Sequence, residues 1–457
     1  MSSFQKVKTV VPLLLGLVIV FSPLLAAQDW DRGDHRDRDD HHDRDHNTNT
    51  PLALIGVIGI PGNPISSTDI VWADQTTERV FFSDRVNGTT DTCPLIPGAK
   101  NHGSVEVIDA ENDLFIGRIT SGTAAGTGTP ICFAGLPTNH NFEGPNGVAT
   151  GPNLTVWAGD GDSTVKIGDV NPTSKTYLQL VDSISLANRT AVSMCGAACN
   201  RADELGYDPE DHIVMVASDE PTGIPPYVSF VNADTHALIG QINFSAQGEL
   251  TGGLEQPLWI PSLHRFFQTL PGTTSGFGKI AIVDPRGPSP HVTGVIDLAP
   301  FKCSGTGEAL GDDDHVLVSC GSFPLVIDLH GAQIGPGITQ VGGGDEVNFN
   351  PGDGRFIVAS NIDGSSANPI VLGVIDSESG RWLQNVPLPD GLQPGSIRGG
   401  NPAALGENNH VFVVVHPPSA VPPADPTVCA TFGWSGTGCV AVFAPTGEER
   451  DEHGDDR

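Results

Sequence analysis

The chain alternates short apolar runs with polar turns, and one unit of this pattern recurs seven times. Each copy begins with a polar residue and continues through an apolar strand, a turn and a second apolar strand. A variable loop and a third strand complete it. This pattern predicts strands and no long helices. The copies begin at Asp69, Asn146, Glu204, Glu255, Glu308, Glu346 and Asn401.

A fourth apolar run follows the third in most copies, as at Leu114–Ile119, Ala237–Ile242 and Val292–Ile296. Four strands per repeat is the composition of a propeller blade. The last copy lacks this strand, because the chain becomes charged after Pro445, yet Ala53–Ile58 near the N-terminus has its pattern. We therefore predict an all-β fold, a single seven-bladed β-propeller over 51–445, in which the N-terminal strand completes the last blade.

The N-terminus has the pattern of a signal peptide over 1–27. Lys6 and Lys8 precede an apolar run that ends in the small residues Ala26 and Ala27. An uncleaved anchor is the alternative, because the run is long. We expect an exported protein, secreted or periplasmic or associated with the cell surface, without membrane insertion after cleavage.

Two charged segments flank the predicted propeller. Residues 28–50 consist almost wholly of Asp, Arg, His and Asn, and residues 446–457 form an acidic tail. Such composition predicts disordered, solvated chain. Weak binding of Zn, Cu or Ni is the alternative for four histidines of the first segment: His35, His41, His42 and His46.

The chain has eight cysteines, an even count that indicates a disulfide framework downstream of a signal peptide. A metal site is less favoured, because no two cysteines have a C-x-x-C spacing. Nearest-neighbour pairing gives Cys93 with Cys132, Cys195 with Cys199, Cys303 with Cys320 and Cys429 with Cys439. The last two pairs bracket a hairpin and a Gly-rich turn, so their Cα atoms are expected within bonding reach.

Charge excludes some partners. Fifty-four acidic residues against 23 basic ones give a net charge of -31, so no basic stripe is present to neutralise nucleic-acid phosphates. Anionic membrane surfaces are disfavoured for the same reason. The sequence also lacks a Gly-x-Ser-x-Gly elbow, a P-loop, a His-Glu-x-x-His helix and a haem-attachment motif.

The residues that begin the seven copies predict a ring at one mouth of the central channel. Five of them are carboxylates, and their repulsion raises the pKa of each unless a cation or ordered water offsets it. Oxygen ligands of this kind suit Ca²⁺ rather than Zn²⁺. The alternative is a wet channel mouth, where polar residues serve only the backbone and water.

A second polar set ends the second strands of several copies and is expected on the same face, further out: Asp84, Asp160, Asp219, Asn361 and His416. Convergence of both sets makes this face the default binding site. Four histidines occupy one turn position between the first two strands, and we interpret them as turn residues: His212, His264, His315 and His410.

Two family resemblances follow from these residues. Gly144–Ala149, with its Pro-Asn-Gly unit, followed by Gly159–Val165 resembles the gluconolactonase and senescence-marker propellers. That resemblance implies a metal-ligand role for Asn146 alone, and it is local, since that family has six blades and its Glu and Asp ligands have no aligned counterpart here. The repeated strand-Asp endings over 51–445 are similar to YVTN-type propellers.

Two functions agree with this sequence. The first is a binding or surface-interaction propeller for a small molecule, glycan or protein, with a Ca²⁺ site at the channel mouth. The alternative is a Ca²⁺-dependent lactonase or ester hydrolase, with Glu204 or Glu346 as the carboxylate base. Elemental analysis and a lactone hydrolysis assay before and after chelation separate them.

Overall fold

Seven small antiparallel sheets follow one another along the chain in a computed structural model. It describes residues 50–65, 67–86, 102–137, 142–186, 201–218, 226–245, 253–272, 276–287, 289–362, 369–388, 402–416, 428–434 and 436–446. The predicted signal peptide, nearly all of both charged segments, and Asn401 and Asp219 lie outside these residues.

The first strand of the chain, β1 (Leu52–Gly59), belongs to the last blade. Blade 1 then has four strands in sequence order: β2 (Thr68–Asp74), β3 (Arg79–Asp84), β4 (Ser104–Asp109) and β5 (Leu114–Ile119). Blade 2 is larger, with six strands: β6 (Ser121–Thr123), β7 (Pro130–Cys132), β8 (Val148–Gly151), β9 (Thr155–Asp160), β10 (Thr164–Asp169) and β11 (Gln179–Ser185). The β6–β7 hairpin adds to the outer strand β11 through a parallel pairing.

Blades 3 and 4 have four strands each, in chain order. Blade 3 has β12 (Ala202–Asp208), β13 (Ile213–Ser218), β14 (Tyr227–Asn232) and β15 (Ala237–Asn243). Blade 4 has β16 (Pro257–Ile260), β17 (Arg265–Leu270), β18 (Lys279–Asp284) and β19 (His291–Asp297), followed by a 3-10 helix at Ala299–Phe301.

Blade 5 has three strands: β20 (Glu308–Leu310), β21 (Val316–Ser319) and β22 (Pro324–Ile327), with a 3-10 helix at Asp312–Asp314. Blade 6 has β23 (Val347–Asn350), β24 (Arg355–Asn361), β25 (Ile370–Asp376) and β26 (Trp382–Pro387). Blade 7 has β27 (Pro402–Leu405), β28 (His410–Val415), helix α1 (Val428–Thr431) and β29 (Cys439–Pro445).

The N-terminal strand closes the ring, as predicted. β1 pairs antiparallel with β29, from Leu52 opposite Pro445 to Gly59 opposite Cys439, and so supplies the fourth strand of blade 7. The pairing joins the two ends of the described chain and covers the edge of β29, which removes a long exposed strand edge.

The hydrophobic core lies between neighbouring blades, because each blade buries side chains on both faces of its sheet. Seven clusters of buried apolar residues occupy the spaces between successive blades in the described chain. The cluster between blades 7 and 1, for example, combines Phe412 and Val442 with Val80 and Phe82. Each blade is therefore stable only with both of its neighbours.

Two of the four predicted disulfides are present. Cys303 is bonded to Cys320 and Cys429 to Cys439, with Cα atoms 4.6 and 5.6 Å apart. Cys132 is also disulfide-bonded, but its predicted partner and the predicted Cys195–Cys199 pair lie outside the described residues. No helix in the described part of the chain is long and apolar enough to cross a bilayer.

His212, His264 and His315 lie between the first two strands of their blades and His410 begins the second strand of blade 7, and three of these four histidines contact a neighbouring blade. His264 reaches Glu210 at 2.7 Å, and His410 reaches Asp113 at 3.1 Å. Nδ1 of His315 donates to the backbone carbonyl oxygen of Ser377 at 2.8 Å, since a carbonyl oxygen can only accept. The fourth, His212, contacts Asp234 of its own blade at 2.9 Å.

Candidate functional site

The innermost strands of the seven blades surround the channel, and neighbouring inner strands contact one another around the whole ring. The described residues that begin the copies lie at one end of these strands. Asp69, Glu204 and Glu308 lie within their inner strands. Asn146, Glu255 and Glu346 lie just before theirs. We call this end the channel mouth.

Three of the predicted ligands come together. Glu204, Glu255 and Glu346, from blades 3, 4 and 6, each place a carboxylate oxygen within 4.8 Å of the other two. Glu204 and Glu346 are 5% exposed, and Glu255 is half-buried. Three carboxylates at this separation repel one another strongly. Either a cation compensates their charges, or some of the three groups bind protons and become neutral.

Glu308 of blade 5 adds a fourth carboxyl group. It is fully buried, and neither of its carboxylate oxygens makes a hydrogen bond of normal geometry in the described part of the chain, although the nearby Thr269 side chain partly lowers its pKa. A Cβ atom on Gly307 would lie 3.1 Å from Oε2 of Glu346, so the Glu346 carboxylate lies directly against the chain next to Glu308. We call Glu204, Glu255, Glu308 and Glu346 the glutamate cluster.

Burial dominates the electrostatics of this cluster. It raises the pKa of Glu204, Glu308 and Glu346 well above the usual range of a glutamate. Repulsion adds to the effect, since the pKa of Glu204 is also raised by Glu346 and Glu255, and that of Glu346 by Asp345. In the absence of a cation, the cluster therefore holds protons at pH values where exposed carboxyl groups have lost theirs.

Two other predicted ligands lie against an arginine instead. Arg85 follows β3, is 4% exposed, and places Nη2 2.7 Å from Oδ2 of Asp69 and 2.7 Å from Oδ1 of Asn146. Its Nη1 is 3.1 Å from Oε1 of Glu143. Asp69 and Asn146 thus lie against the Arg85 guanidinium, and the three glutamates that converge within 4.8 Å form a separate group. The prediction of one shared ring of ligands stays a prediction.

A second arginine extends this paired region toward blade 3. Arg201 donates from Nε and Nη2 to Oδ2 of Asp203 at 3.0 and 2.7 Å, and its Nη1 is 3.5 Å from Glu143. Sequence reasoning missed Arg85, Glu143, Arg201 and Asp203. The only available signal was the position of Arg85 and Arg201 beside residues that end or begin strands of the repeat.

The polar residues that end the second strands stabilise the fold through buried hydrogen bonds. Asp84 and Asp160 are completely buried, and their carboxylates accept hydrogen bonds from the backbone N–H groups of Val86 and Ala134 at 3.0 Å. Asp160 also pairs with buried Lys166 at 3.2 Å, and burial raises its pKa to about 7. These side chains end second strands as predicted, but they do not line an open outer ring.

Of the other described members of that set, Asn361 is buried and His416 is partly exposed. Asn361 is 2% exposed, and its backbone carbonyl oxygen accepts a hydrogen bond from Gly342 at 2.9 Å. Burial lowers the pKa of His416 to about 4, and its Nε2 lies 3.1 Å from the hydroxyl of Thr68. The candidate site is therefore the mouth itself, and the outer set does not extend it.

Comparisons with known proteins agree with the fold and add no function. No protein-family model matches the sequence, and no curated protein matches it. A solved structure of RRP9 WD40 repeats is similar, at 9% identity and a TM-score of 0.51, over 86% of this chain and 100% of that one. A chain of the mitotic checkpoint complex is 11% identical over 88% of this chain and 96% of that one, with a TM-score of 0.48.

This chain is a seven-bladed β-propeller. Identities this low carry the fold alone, with WD40-repeat proteins as structural neighbours. The resemblances to YVTN-type and gluconolactonase propellers stay predictions, because no family comparison supports either of them.

Proposed function

We propose that this protein is an exported binding propeller whose channel mouth holds a Ca²⁺ ion between the side chains of the glutamate cluster. The observation that carries the proposal is Glu308, a fully buried carboxyl group whose two oxygens make no hydrogen bond of normal geometry in the described part of the chain, with only a partial offset of its raised pKa by the Thr269 side chain. It stands beside three more carboxyl groups that converge within 4.8 Å.

The reason is the cost of buried charge. One oxygen each of Glu204 and Glu346 also lacks a hydrogen-bond partner in the described residues. An unpartnered buried carboxylate is expensive, so such groups pair, take up protons or coordinate a metal. Carboxylate oxygens are the hard ligands that Ca²⁺ prefers, and one oxygen from each of three glutamates lies within 4.8 Å of the other two. The alternative is a protonated, water-filled mouth without a metal.

The exported, ligand-binding part of the proposal rests on the fold and the disulfides. Two disulfides in the described chain fit an oxidising compartment. Ligand sites are concave, and here one residue of the cluster, Glu255, is partly exposed. A small molecule, glycan or protein that approaches the mouth would therefore meet the cation.

The Ca²⁺-dependent lactonase is the weaker candidate. The resemblance to that family assigns a metal-ligand role to Asn146, but Oδ1 of Asn146 accepts hydrogen bonds from Nη2 and Nε of Arg85 at 2.7 and 3.2 Å. A guanidinium in this position competes with a metal for the same oxygen. A lactone hydrolysis assay before and after chelation tests this candidate directly.

The test of Ca²⁺ binding is titration calorimetry on the chelator-treated protein, together with melting curves at increasing free Ca²⁺. One ion per chain and a melting temperature that rises with the logarithm of free Ca²⁺ are expected. The double variant Glu204→Gln with Glu308→Gln keeps side-chain size and deletes charge, so binding should disappear while the metal-free protein becomes more stable.

Glu106→Gln is the matched control, since Glu106 is also a completely buried glutamate but lies on β4 beside Ser104 and Arg118. This variant should bind Ca²⁺ like the wild type. A wild-type transition that neither Ca²⁺ nor chelator moves, with no heat of binding, would remove the cation site and leave the water-filled mouth.

A further inference from the structure

We infer that Arg85 is a built-in cation that fills the blade 1 and blade 2 side of the channel mouth and limits the mouth to one bound divalent ion. This inference rests on the proposed Ca²⁺ site. It assigns Arg85 the role of a specificity-determining residue, which sets where the ion binds and how many ions bind.

The contacts of Arg85 resemble a coordination sphere made of oxygens. One guanidinium meets Oδ2 of Asp69 at 2.7 Å, Oδ1 of Asn146 at 2.7 Å and Oε1 of Glu143 at 3.1 Å. Two of these groups are carboxylates and one is an amide oxygen, which is the donor set that Ca²⁺ accepts in proteins. The same three oxygens cannot serve a metal while they accept hydrogen bonds from Arg85.

Arg85 is held firmly in this position. Its backbone N–H donates to the carbonyl oxygen of Ser67 at 3.0 Å, and its Nη1 donates to the Ser67 hydroxyl at 3.1 Å. Its side chain is 5% exposed. A buried guanidinium with donors on both edges occupied cannot swing out without leaving several polar groups unpaired. Its charge is therefore a permanent part of the mouth.

The partners of Arg85 are fixed as well. Asn146 donates from Nδ2 to the carbonyl oxygen of Ala202 at 2.8 Å, which orients its Oδ1 toward the guanidinium. Glu143 is 2% exposed and also contacts Arg201 at 3.5 Å. The oxygens would thus stay close together after loss of the arginine, and they would lose the positive charge of Arg85 that now lies among them.

The negative charges on the two sides of the channel mouth are therefore balanced in different ways. On the side of blades 1 and 2, arginine neutralises the carboxylates. On the side of blades 3 to 6, Glu204, Glu308 and Glu346 have unpartnered oxygens in the described chain. A divalent ion is drawn to the second side and repelled from the first, so a single ion is expected.

The experiment counts bound ions with Ca²⁺ as the probe, by titration calorimetry and by elemental analysis after gel filtration. The wild type should bind one ion. Arg85→Met removes the charge and nearly keeps the volume, so Asp69, Glu143 and Asn146 should take up a second ion. Arg85→Lys retains a positive charge and should bind one. Arg118→Met, which removes an arginine from the outer strand β5, is the matched control and should also bind one.

Asp69→Asn keeps the inference testable if Arg85→Met does not fold. Because Asp69 faces Arg85, this variant should still bind one ion. Loss of the ion in Asp69→Asn would overturn the inference, as would a single ion in a folded Arg85→Met protein. If instead the wild type binds no ion, the proposed Ca²⁺ site fails; one ion in every variant would refute only the role of Arg85.

Discussion

Closure of the ring by β1 makes a quantitative prediction, because this one strand has both a buried and an exposed isoleucine. Ile58 is 4% exposed and belongs to the apolar cluster between blades 7 and 1, whereas Ile55 is 43% exposed on the same strand. Ile58→Ala should lower the free energy of unfolding by about 2–5 kcal/mol, since it removes buried methyl groups and leaves a cavity. Ile55→Ala should change it by less than about 0.5 kcal/mol.

The assay is equilibrium unfolding in guanidinium chloride. Melting temperature is a less sensitive measure, because a propeller of roughly 400 residues has so large an unfolding entropy that 1 kcal/mol shifts the transition by only about 1 °C. Removal of 51–60 goes further, because it exposes the edge of β29 along its whole pairing with β1. We expect aggregation or loss of the folded state.

Deletion of 29–49 is the control for that truncation, since these residues precede β1 and have the composition of solvated chain. This protein should unfold like the wild type. Equal losses of stability in Ile58→Ala and Ile55→Ala, or equal behaviour of the two truncations, would show that β1 does not hold the ring together.

Two further predictions concern oxidation and pH. Mass mapping of the exported protein without reduction should find Cys303–Cys320 and Cys429–Cys439 among four bridges, and two or more free thiols would contradict the disulfide framework. In chelator, stability should be full below the ordinary glutamate pKa of 4.5 and fall as pH rises toward the raised pKa values of the cluster, because the folded state retains protons that the unfolded chain releases. Glu308→Gln should reduce this slope in melting curves from pH 5 to 8, and a stability that rises over that range without Ca²⁺ would contradict it.

The blades were predictable because their central strands are almost wholly buried and apolar. The apolar runs around Val80 and Val165 recur with the same turns, and in the structure they are central strands of their blades. Closure was predictable from a missing fourth strand and a spare one, Ala53–Ile58. These features are local in sequence, so a single chain reveals them.

The β6–β7 hairpin was not predictable from the same pattern. Its first strand is Ser121-Gly122-Thr123, which has no apolar residue, and it joins blade 2 through a single parallel pairing of Gly122 with Leu180. Polar residues that pair at the outer edge of a sheet leave no periodic signal. Structure at the rim of a blade is decided by tertiary contacts that the repeat does not encode.

The mouth was predictable in its position but not in its charge balance. The repeat places one polar residue per blade at the start of the inner strand. This pattern alone suggests a symmetric ring of ligands. Arg85 breaks the symmetry from outside the repeat, because it reaches Asn146 of blade 2 and Glu143 of the segment before it. A ring with seven equivalent positions would spread its repulsion evenly and hold water. With one side neutralised by arginine, the remaining repulsion is concentrated on Glu204, Glu308 and Glu346, where a single divalent ion relieves the most of it.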